Sequence, residues 1–274
     1  MHIQLVLDSS ADLTALEGIP FAYAPLKVCT AEREFIDDDN VNTADMVEYL
    51  AQYKGRSSTS CPNAEDWLTA FGEASEILCI TITGGLSGSY NTACTAKEIY
   101  ESEHPDRRVV VIDSKTAGPE ITLMAEKARD LAVRGKSLDE IAADLKSYKT
   151  ELLFMLESLR NFANNGRVSK AVAMTAGVLG IRAIGRASDE GTLEVLSKAR
   201  GAVRALETLL GHLKEYGYKG GKVRIHHCFN EETAHKLAEC VRQAFPSARV
   251  VIAPLRGLCS FYAEKGGVLV GFET

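Results

Sequence analysis

Before residue 100, the chain carries an apolar run, Ile77-Leu78-Cys79-Ile80-Thr81-Ile82, followed by Thr83-Gly84-Gly85-Leu86-Ser87-Gly88-Ser89-Tyr90-Asn91. A short apolar run with β-branched residues predicts a buried strand. The glycines and hydroxyl residues that follow are typical of a tight turn. Helical periodicity then extends from about Ser89 to Tyr100. A strand, a turn and a helix in this order are the repeating unit of an open α/β fold.

Hydroxyl-rich turns recur at other predicted junctions between strands and helices. They are Asp8-Ser9-Ser10-Ala11-Asp12 after Ile3–Leu7, Ser57-Ser58-Thr59-Ser60-Cys61-Pro62-Asn63 before a helix around Trp67, and Asp113-Ser114-Lys115-Thr116 after Val109–Ile112. In an open α/β sheet, ligands bind in the crevice at the carboxyl ends of the strands. Helix N-termini there offer unpaired amides and a positive dipole end, which suit an anion. The turns therefore predict a site for an oxyanion.

Strand and helix patterns alternate over most of the chain, which predicts an α/β fold with two domains. Residues 1–152 are expected to hold a mostly parallel, Rossmann-like sheet with the hydroxyl-rich turns, and residues 153–274 a smaller α/β lid domain. Asn164–Lys170 is expected to be a turn. The predicted strands are Ile3–Leu7, Phe21–Cys29, Glu32–Ile36, Ile77–Ile82, Val109–Ile112, Leu152–Leu156, Leu193–Ser197, Lys222–His227, Arg249–Ala253 and Val268–Phe272. The predicted helices are Thr43–Tyr53, Ala64–Phe71, Ser89–Tyr100, Glu120–Arg134, Leu138–Tyr148, Ala202–Glu215 and Glu231–Phe245.

Composition excludes several classes of protein. A formal net charge of -6 argues against a nucleic-acid partner bound through a basic face. There is no apolar run of membrane-spanning length and no secretory pattern at the start, so we expect a cytoplasmic protein. The seven cysteines lack any CxxC pair, which predicts reduced thiols and no metal site. The acidic run Asp37–Asp39 lacks the ligand spacing of a calcium loop and predicts a solvated turn.

The turn after Ile82 matches no common catalytic motif. No Gly-Lys-Ser/Thr ends it, so it is not a Walker A loop, and Gly85–Ser89 has serine where a nucleophile elbow has its last glycine. A hydrolase or transferase using Ser87, with His226 or His227 as base, stays open as an alternative. A binding module for a small polar anion, such as a phosphorylated metabolite, is a second alternative. We expect Asp8 to order its loop and Asp12 to cap a short helix.

Taken together and in order, six segments resemble the DegV family of bacterial fatty-acid-binding proteins. Several of them contain the hydroxyl-rich turns described above, and their spacing is consistent from residue 3 to about 201. They are Asp8–Leu13, Thr59–Asn63, Leu86–Ala93, Val111–Ser114, Asn165–Lys170 and Lys198–Gly201. One such segment would be a weak signal, whereas six in register are a strong one.

The resemblance implies a two-domain DegV-like fold that encloses one long-chain fatty acid, such as palmitate, stearate or oleate, and needs no cofactor. It implies that Thr59, Ser60, Ser87, Gly88 and Ser89 bind the carboxylate. It implies a supporting or loop-ordering role for Asp8, Ser9, Ser10, Asn91, Asp113 and Ser114. A separate ATP-dependent fatty acid kinase would make the acyl-phosphate used in phospholipid metabolism, so this chain would not itself be an enzyme. Arg167 and Arg200 would lie at the mouth or dock the kinase, and transient membrane contact is also expected.

Two positions depart from the family pattern. Family members often carry a histidine near the C-terminus in Gly-x-His-x-Gly-Pro-Gly, whereas Gly257–Gly267 contains none. Ser260 or Tyr262 is expected to replace its hydrogen bond, and both stay open. Cys61 stands where glutamine is common. For the apolar tunnel we expect Leu26, Phe154, Ile181 and Ile184.

Overall fold

A computed structural model describes residues 3–174 and 180–274. These residues form an α/β fold with three sheets, of which one is fully parallel and has the strand order β2-β1-β6-β7. A six-stranded mixed sheet has the order β10-β9-β8-β13-β11-β12, and a small antiparallel sheet has the order β4-β3-β5. The strands are β1 (Ile3–Asp8), β2 (Phe21–Ala24), β3 (Lys27–Cys29), β4 (Glu34–Ile36), β5 (Ser58–Ser60), β6 (Glu76–Thr81), β7 (Arg108–Asp113), β8 (Thr150–Leu156), β9 (Ile181–Ala187), β10 (Leu193–Arg200), β11 (Lys222–His227), β12 (Arg249–Pro254) and β13 (Val268–Glu273).

The helices cover both faces of the parallel sheet, as expected for a doubly wound fold. One face packs against α2 and α3 through Trp67 and Tyr100, and the other packs against α4 and α5 through Ile121 and Ile141. The helices are α1 (Thr43–Gln52), α2 (Ala64–Phe71), α3 (Ser89–Glu103), α4 (Pro119–Val133), α5 (Leu138–Ser147), α6 (Arg160–Asn164), α7 (Lys170–Met174), α8 (Ala202–Glu215), α9 (Glu231–Ala244) and α10 (Gly257–Ala263).

Helix α4 lies between the parallel sheet and the six-stranded sheet and packs against both. Its close approach to β13 requires a glycine, because a Cβ at Gly271 would lie 2.6 Å from the Glu120 amide nitrogen. The other face of the six-stranded sheet is covered by α8 and α9, with Leu209 and Leu237 fully buried. One helix therefore joins the two large sheets and leaves space beside it.

Five short elements of the described residues were not among the predictions. Ser58–Ser60 is a strand that pairs with β3, although its residues were expected to form a turn, and β9 was not predicted as a strand. Helix α10 was also missed. Part of the predicted turn at 164–170 belongs to α6 and α7. Each of these short segments contains polar residues or glycine that interrupt an apolar pattern, so tertiary packing decides them.

Within the described ranges 150–174 and 180–274, every strand belongs to the six-stranded sheet. The division of the chain into domains at residue 152 stays a prediction, because sheet membership alone does not define an independently folding unit.

Candidate functional site

A cavity of about 270 Å³ lies between the parallel sheet and the six-stranded sheet. Its walls are mainly apolar. Leu26, Ile82 and Leu258 lie on the side of the parallel sheet, and alternate residues of β8 line the opposite side: Leu152, Phe154 and Leu156. This alternation follows from the period of two along a strand.

Two of the four residues expected to line the tunnel do so, namely Leu26 and Phe154. Ile184 lies instead in the core between the six-stranded sheet and α8, and it pairs with Met155, which faces the same core. Ile181 is at the start of β9, paired with Arg200, and is not part of the cavity wall. Adjacent residues of a strand point to opposite faces of the sheet. The sequence alone did not show which of these residues would face the cavity.

Polar groups from three separate segments meet at the cavity wall, and we call them the polar cluster: Thr59, Ser60, Cys61, Ser87, Gly88 and Tyr262. The Thr59 Oγ1 and the Tyr262 hydroxyl oxygen are 2.8 Å apart and share a hydrogen bond. The Cys61 Sγ lies 3.1 Å from the point where a Cβ on Gly88 would be. The segment before α2, with Thr59 and Cys61, and the segment before α3, with Gly88, therefore approach each other at this wall.

The geometry of β5 explains the placement of Thr59. In the small sheet Thr59 pairs with Val28, which is buried, and the Thr59 side chain reaches the cavity. Tyr262 lies on α10, where its ring stacks on Phe162 with 4.6 Å between centroids. Burial raises the pKa of the Tyr262 phenol, so its hydroxyl keeps its proton and can donate a hydrogen bond at neutral pH.

The turn before α3 places Ser87 and Gly88. The amides of Leu86 and Ser87 both donate to the Thr83 carbonyl, and the Ser87 Oγ accepts a hydrogen bond from the Ser89 amide at 3.2 Å. Gly88 is the N-cap residue of α3 and has no side chain to cap the helix. The positive end of the helix dipole and its first amides therefore lie beside the Ser87 hydroxyl.

Ser89 lies elsewhere than its predicted role requires. It is fully buried, is not part of the cavity wall, and its hydroxyl donates to the Asp8 Oδ2 at 2.6 Å. The same Asp8 oxygen accepts the Ile82 amide at 2.8 Å, and the Asp8 Oδ1 accepts both the amide and the hydroxyl of Ser10. Burial raises the pKa of Asp8, and these donors oppose that rise. Ser89 therefore supports the position of α3 through Asp8.

The remaining residues of the expected supporting set bind neighbouring loops. The Ser9 Oγ accepts the Leu26 amide at 3.0 Å. The Asp113 Oδ1 accepts the amides of Gly84 and Lys115, both at 3.0 Å. The Ser114 hydroxyl bonds both backbone groups of Thr116. Asn91, by contrast, is exposed on α3.

The two arginines separate in space. Arg167 lines the cavity, and its Nε donates to the Leu86 carbonyl at 3.1 Å, which ties the 165–167 turn to the segment before Ser87. Arg200 is exposed at the end of β10 and is not part of the cavity wall. The structure therefore brings only one of them to the cavity.

The two histidines bond to groups other than Ser87. The His226 Nδ1 lies 2.9 Å from the Asp12 Oδ2, and the His227 Nδ1 accepts the Asn230 amide at 3.2 Å. Asp12 has a left-handed backbone, with φ of 58°, and the helical turn it ends is only Ser9–Ala11. Asp12 is the C-cap residue of that turn through its backbone amide, which donates to the Ser9 carbonyl at 3.2 Å. Its carboxylate instead contacts residues more than two hundred positions away.

The acidic run at 37–39 is not a fully solvated turn. Asp37 is 1% exposed, and its carboxylate accepts the amides of Gly257 and Leu258, both at 2.9 Å. The expectation of a solvated turn was wrong for Asp37, because amides of α10, about 220 positions away, donate hydrogen bonds to its carboxylate in place of water. Among residues 3–174 and 180–274 there is no group of three or more His, Cys, Asp or Glu side chains arranged to bind a metal ion. Nor does the described chain contain a helix with the length and apolar character needed to cross a membrane.

Comparison with known proteins relates this geometry to a family. A family model described as "Uncharacterised protein, DegV family" matches residues 2–274. A DegV domain-containing protein of Streptococcus pneumoniae is 40% identical over 279 residues, covering 100% of this chain and 99% of that protein.

Two solved structures resemble the whole fold. A DegV family protein from Eubacterium eligens, loaded with heptadecanoic acid, has a TM-score of 0.98 and 44% identity, and the match covers 99% of each chain. The Fatty Acid Kinase (Fak) B3 protein of Streptococcus pneumoniae, loaded with linoleic acid, has a TM-score of 0.97 and 40% identity, covering 100% of this chain and 99% of that one. With a family match over nearly its full length, this chain belongs to the DegV family.

Proposed function

We propose that this protein binds one long-chain fatty acid, with its carboxylate at the polar cluster and its acyl chain along the apolar walls. The observation that carries the proposal is a mainly apolar cavity whose wall includes Thr59, Ser87 and Tyr262, with the hydroxyls of Thr59 and Tyr262 hydrogen-bonded to each other. A buried carboxylate needs hydrogen-bond donors to offset the loss of water. Hydroxyls and the first amides of α3 supply donors of that kind.

The acyl chain would supply most of the affinity. Each buried CH₂ contributes about 0.8 kcal/mol, so a chain of about sixteen carbons exceeds any polar contribution before ordering costs. Leu152, Phe154 and Leu156 offer the apolar surface that such a chain needs. A small polar anion would gain nothing from these walls, which disfavours the phosphorylated-metabolite alternative.

The solved relatives support this ligand class. The Eubacterium eligens protein was loaded with heptadecanoic acid, and the Fak B3 protein with linoleic acid. Both are long-chain fatty acids of about the same length. We therefore expect an acyl chain of similar length here.

We further propose that the protein presents its fatty acid to a separate fatty acid kinase and does not itself catalyse a reaction. The similarity to a protein named as part of Fatty Acid Kinase supports this partner. The hydrolase alternative lacks support, since Ser87 lines the cavity but neither His226 nor His227 is among its lining residues. A kinase-docking role for Arg200, transient membrane contact and a cytoplasmic location stay predictions.

The test is to denature the purified protein in organic solvent and to identify the released lipid by mass spectrometry. We expect close to one long-chain fatty acid per chain. A Thr59→Ala/Ser87→Ala double variant that remains folded by circular dichroism should lose it, because two carboxylate donors are missing.

The matched control is Thr95→Ala/Ser102→Ala, which removes two exposed hydroxyls from α3 and should leave lipid retention unchanged. If the wild-type protein releases no lipid and takes up none of the fatty acids added back, the proposal is wrong. Ester turnover that disappears in Ser87→Ala would instead support the hydrolase alternative.

A further inference from the structure

The start of α10 is held by two aspartates from distant parts of the chain. The Asp37 Oδ1 accepts the Gly257 amide and its Oδ2 accepts the Leu258 amide, both at 2.9 Å. The Asp12 Oδ1 accepts the Arg256 amide at 2.8 Å. Three successive amides at the start of this helix, which would otherwise lack intrahelical partners, are therefore bonded to buried carboxylates.

Both carboxylates are deeply buried and paired with cationic or ionisable groups. Asp37 is 1% exposed, with the Arg256 Nε 3.5 Å from its Oδ1. The Asp12 side chain is fully buried, with the His226 Nδ1 2.9 Å from its Oδ2. Burying a charge is costly even when it is paired, so a buried ion pair adds little to stability and can serve to fix one arrangement of the chain. Here the arrangement is the position of α10 relative to the small sheet.

Asp37 is attached to the sheet that carries Thr59. In the small sheet Lys27 pairs with Ile36 on one side and with Ser60 on the other, so Asp37 directly follows one neighbour of Lys27 and Thr59 precedes the other. The Asp37 amide also donates to the Leu26 carbonyl at 2.9 Å. The small sheet therefore fixes the positions of Asp37 and Thr59 relative to each other.

Helix α10 connects the small sheet to the polar cluster. Tyr262 lies five residues after Gly257, about 7.5 Å along a helix at 1.5 Å per residue, and its hydroxyl is 2.8 Å from the Thr59 Oγ1. A shift at the start of so short a helix moves Tyr262 by a similar amount. One end of α10 is thus held by Asp37, which directly follows β4, and the other bonds Thr59 of β5, a strand of the same small sheet.

We infer that Asp37 is a positioning residue for the fatty-acid site, which holds the Tyr262 hydroxyl against Thr59 through the first amides of α10. The inference rests on the proposed function for the identity of the ligand. Asp37 touches neither the cavity nor the ligand and acts only through α10.

The test compares Asp37→Asn with Asp38→Asn, a neighbour in the same acidic run whose carboxylate accepts the amide of Asn40 instead. Asparagine keeps the size of Asp37 but turns one acceptor into a donor facing an amide. We expect the affinity for hexadecanoic acid to fall about tenfold, equivalent to roughly 1.4 kcal/mol. The affinity for hexadecanol, which has no carboxylate, should change less than about twofold, and Asp38→Asn should change neither.

A double-variant cycle with Tyr262→Phe separates positioning from general loosening. If Asp37 acts through the Tyr262 hydroxyl, Asp37→Asn should have little further effect in the Tyr262→Phe background. An equal loss in both backgrounds, an equal loss for hexadecanol, or no loss at all would overturn the inference.

Two additional measurements keep the test independent of folding and of the ligand. Gly257→Ala disturbs the same contact from the helix side, because its Cβ would lie 2.8 Å from the Asp37 Oδ1. This variant should reproduce the selective loss of affinity for hexadecanoic acid.

The second measurement uses protein labelled with fluorotyrosine. The fluorine NMR signal of Tyr262, assigned by its absence from Tyr262→Phe, should shift in Asp37→Asn but not in Asp38→Asn. A shift in a protein that binds no fatty acid would support the positioning role while the proposed function fails. An unmoved signal overturns the positioning role whatever the ligand.

Discussion

Ser87 and Ser89 are two residues apart, yet their hydroxyls have different surroundings. The Ser87 hydroxyl lies at the cavity, whereas the Ser89 hydroxyl is buried and donates to Asp8. Asp8 also accepts the amides of Ser10 and Ile82, so one carboxylate joins the ends of β1 and β6 to the start of α3. The difference arises because Ser87 lies in the turn before α3 whereas Ser89 is the first residue of that helix, and it is open to a direct test.

We expect Ser89→Ala to lower the free energy of unfolding by about 1 to 3 kcal/mol, the usual range for a lost hydrogen bond to a buried charged group. Fatty-acid affinity should change little. Ser87→Ala should have the opposite profile, with nearly unchanged stability and weaker binding. Urea denaturation and a fatty-acid binding titration on both variants check this, and equal profiles for the two serines would contradict it.

At the scale of elements, α4 joins the two large sheets and places a carboxyl between them. Glu120 is 8% exposed, and its Oε1 accepts the Thr150 hydroxyl of β8 at 2.7 Å. Burial raises the pKa of Glu120 from an ordinary 4.5 to about 7. The folded protein therefore binds this proton more tightly than the unfolded chain does.

This pKa makes stability depend on pH in a definite direction. The contribution of Glu120 is fully present below about pH 4.5 and decreases as the pH rises to about 7, by roughly 3 kcal/mol. Glu120→Gln is neutral throughout and should remove that decrease, so its stability relative to wild type should improve with rising pH. Urea denaturation at pH 5 and pH 8 checks the prediction. A constant difference between the two proteins would contradict it.

A second contact between elements closes the cavity wall. The β9–β10 hairpin turn touches the segment after β6, where the Thr83 Oγ1 donates to the Gly191 carbonyl at 2.8 Å. A Cβ on Gly191 would lie 2.0 Å from the Thr83 Oγ1, and the Gly191 φ of +76° also favours glycine. Gly191 is therefore required for the two elements to meet.

We expect Gly191→Ala to displace the hairpin and to increase the dissociation rate of a bound fluorescent fatty acid severalfold. Gly135→Ala is the matched control, since its φ is +78° and no atom of the described residues lies within 4 Å of the added Cβ. Both variants carry similar backbone strain, so stopped-flow displacement should separate them. Equal rates would show that the hairpin contact does not retain the ligand.

At the scale of the whole molecule, the cavity separates two sheets that one acyl chain would bridge. Leu26 and Leu258 lie on one side and Leu152 and Phe154 on the other. A ligand that contacts both sides stabilises the folded protein by mass action, by about 2.7 kcal/mol at a hundred times its dissociation constant. Chain length should therefore control stability.

We expect hexadecanoic acid to raise the melting temperature of the delipidated protein clearly more than octanoic acid at the same concentration. The two acids share a carboxylate, but eight fewer CH₂ groups remove roughly 6 kcal/mol of apolar burial. Differential scanning calorimetry measures the shifts. Equal shifts would place the binding energy in the carboxylate and contradict a role for the apolar walls.

Elements with a strong local pattern were predicted well. The bounds of α2, α8 and β11 agree residue for residue with the structure, and the doubly wound parallel sheet follows from the alternation of strands and helices. The hydroxyl-rich turns at Asp8, Ser87 and Asp113 also lie near the carboxyl ends of β1, β6 and β7, as expected. Periodic burial and turn chemistry are local properties, so sequence alone determines them.

The polar contacts of the site depend on residues far apart in the chain. Thr59 and Tyr262 are 203 positions apart, and Asp37 and Gly257 are 220 apart. The strand that carries Thr59 has three residues, and the helix that carries Tyr262 has seven. Such short polar segments have no periodicity of their own, and a buried carboxylate such as Asp37 looks solvated until its partner is known. Only the packing of the C-terminal helix against the N-terminal sheet decides these contacts, because both their geometry and their desolvation are created by that packing.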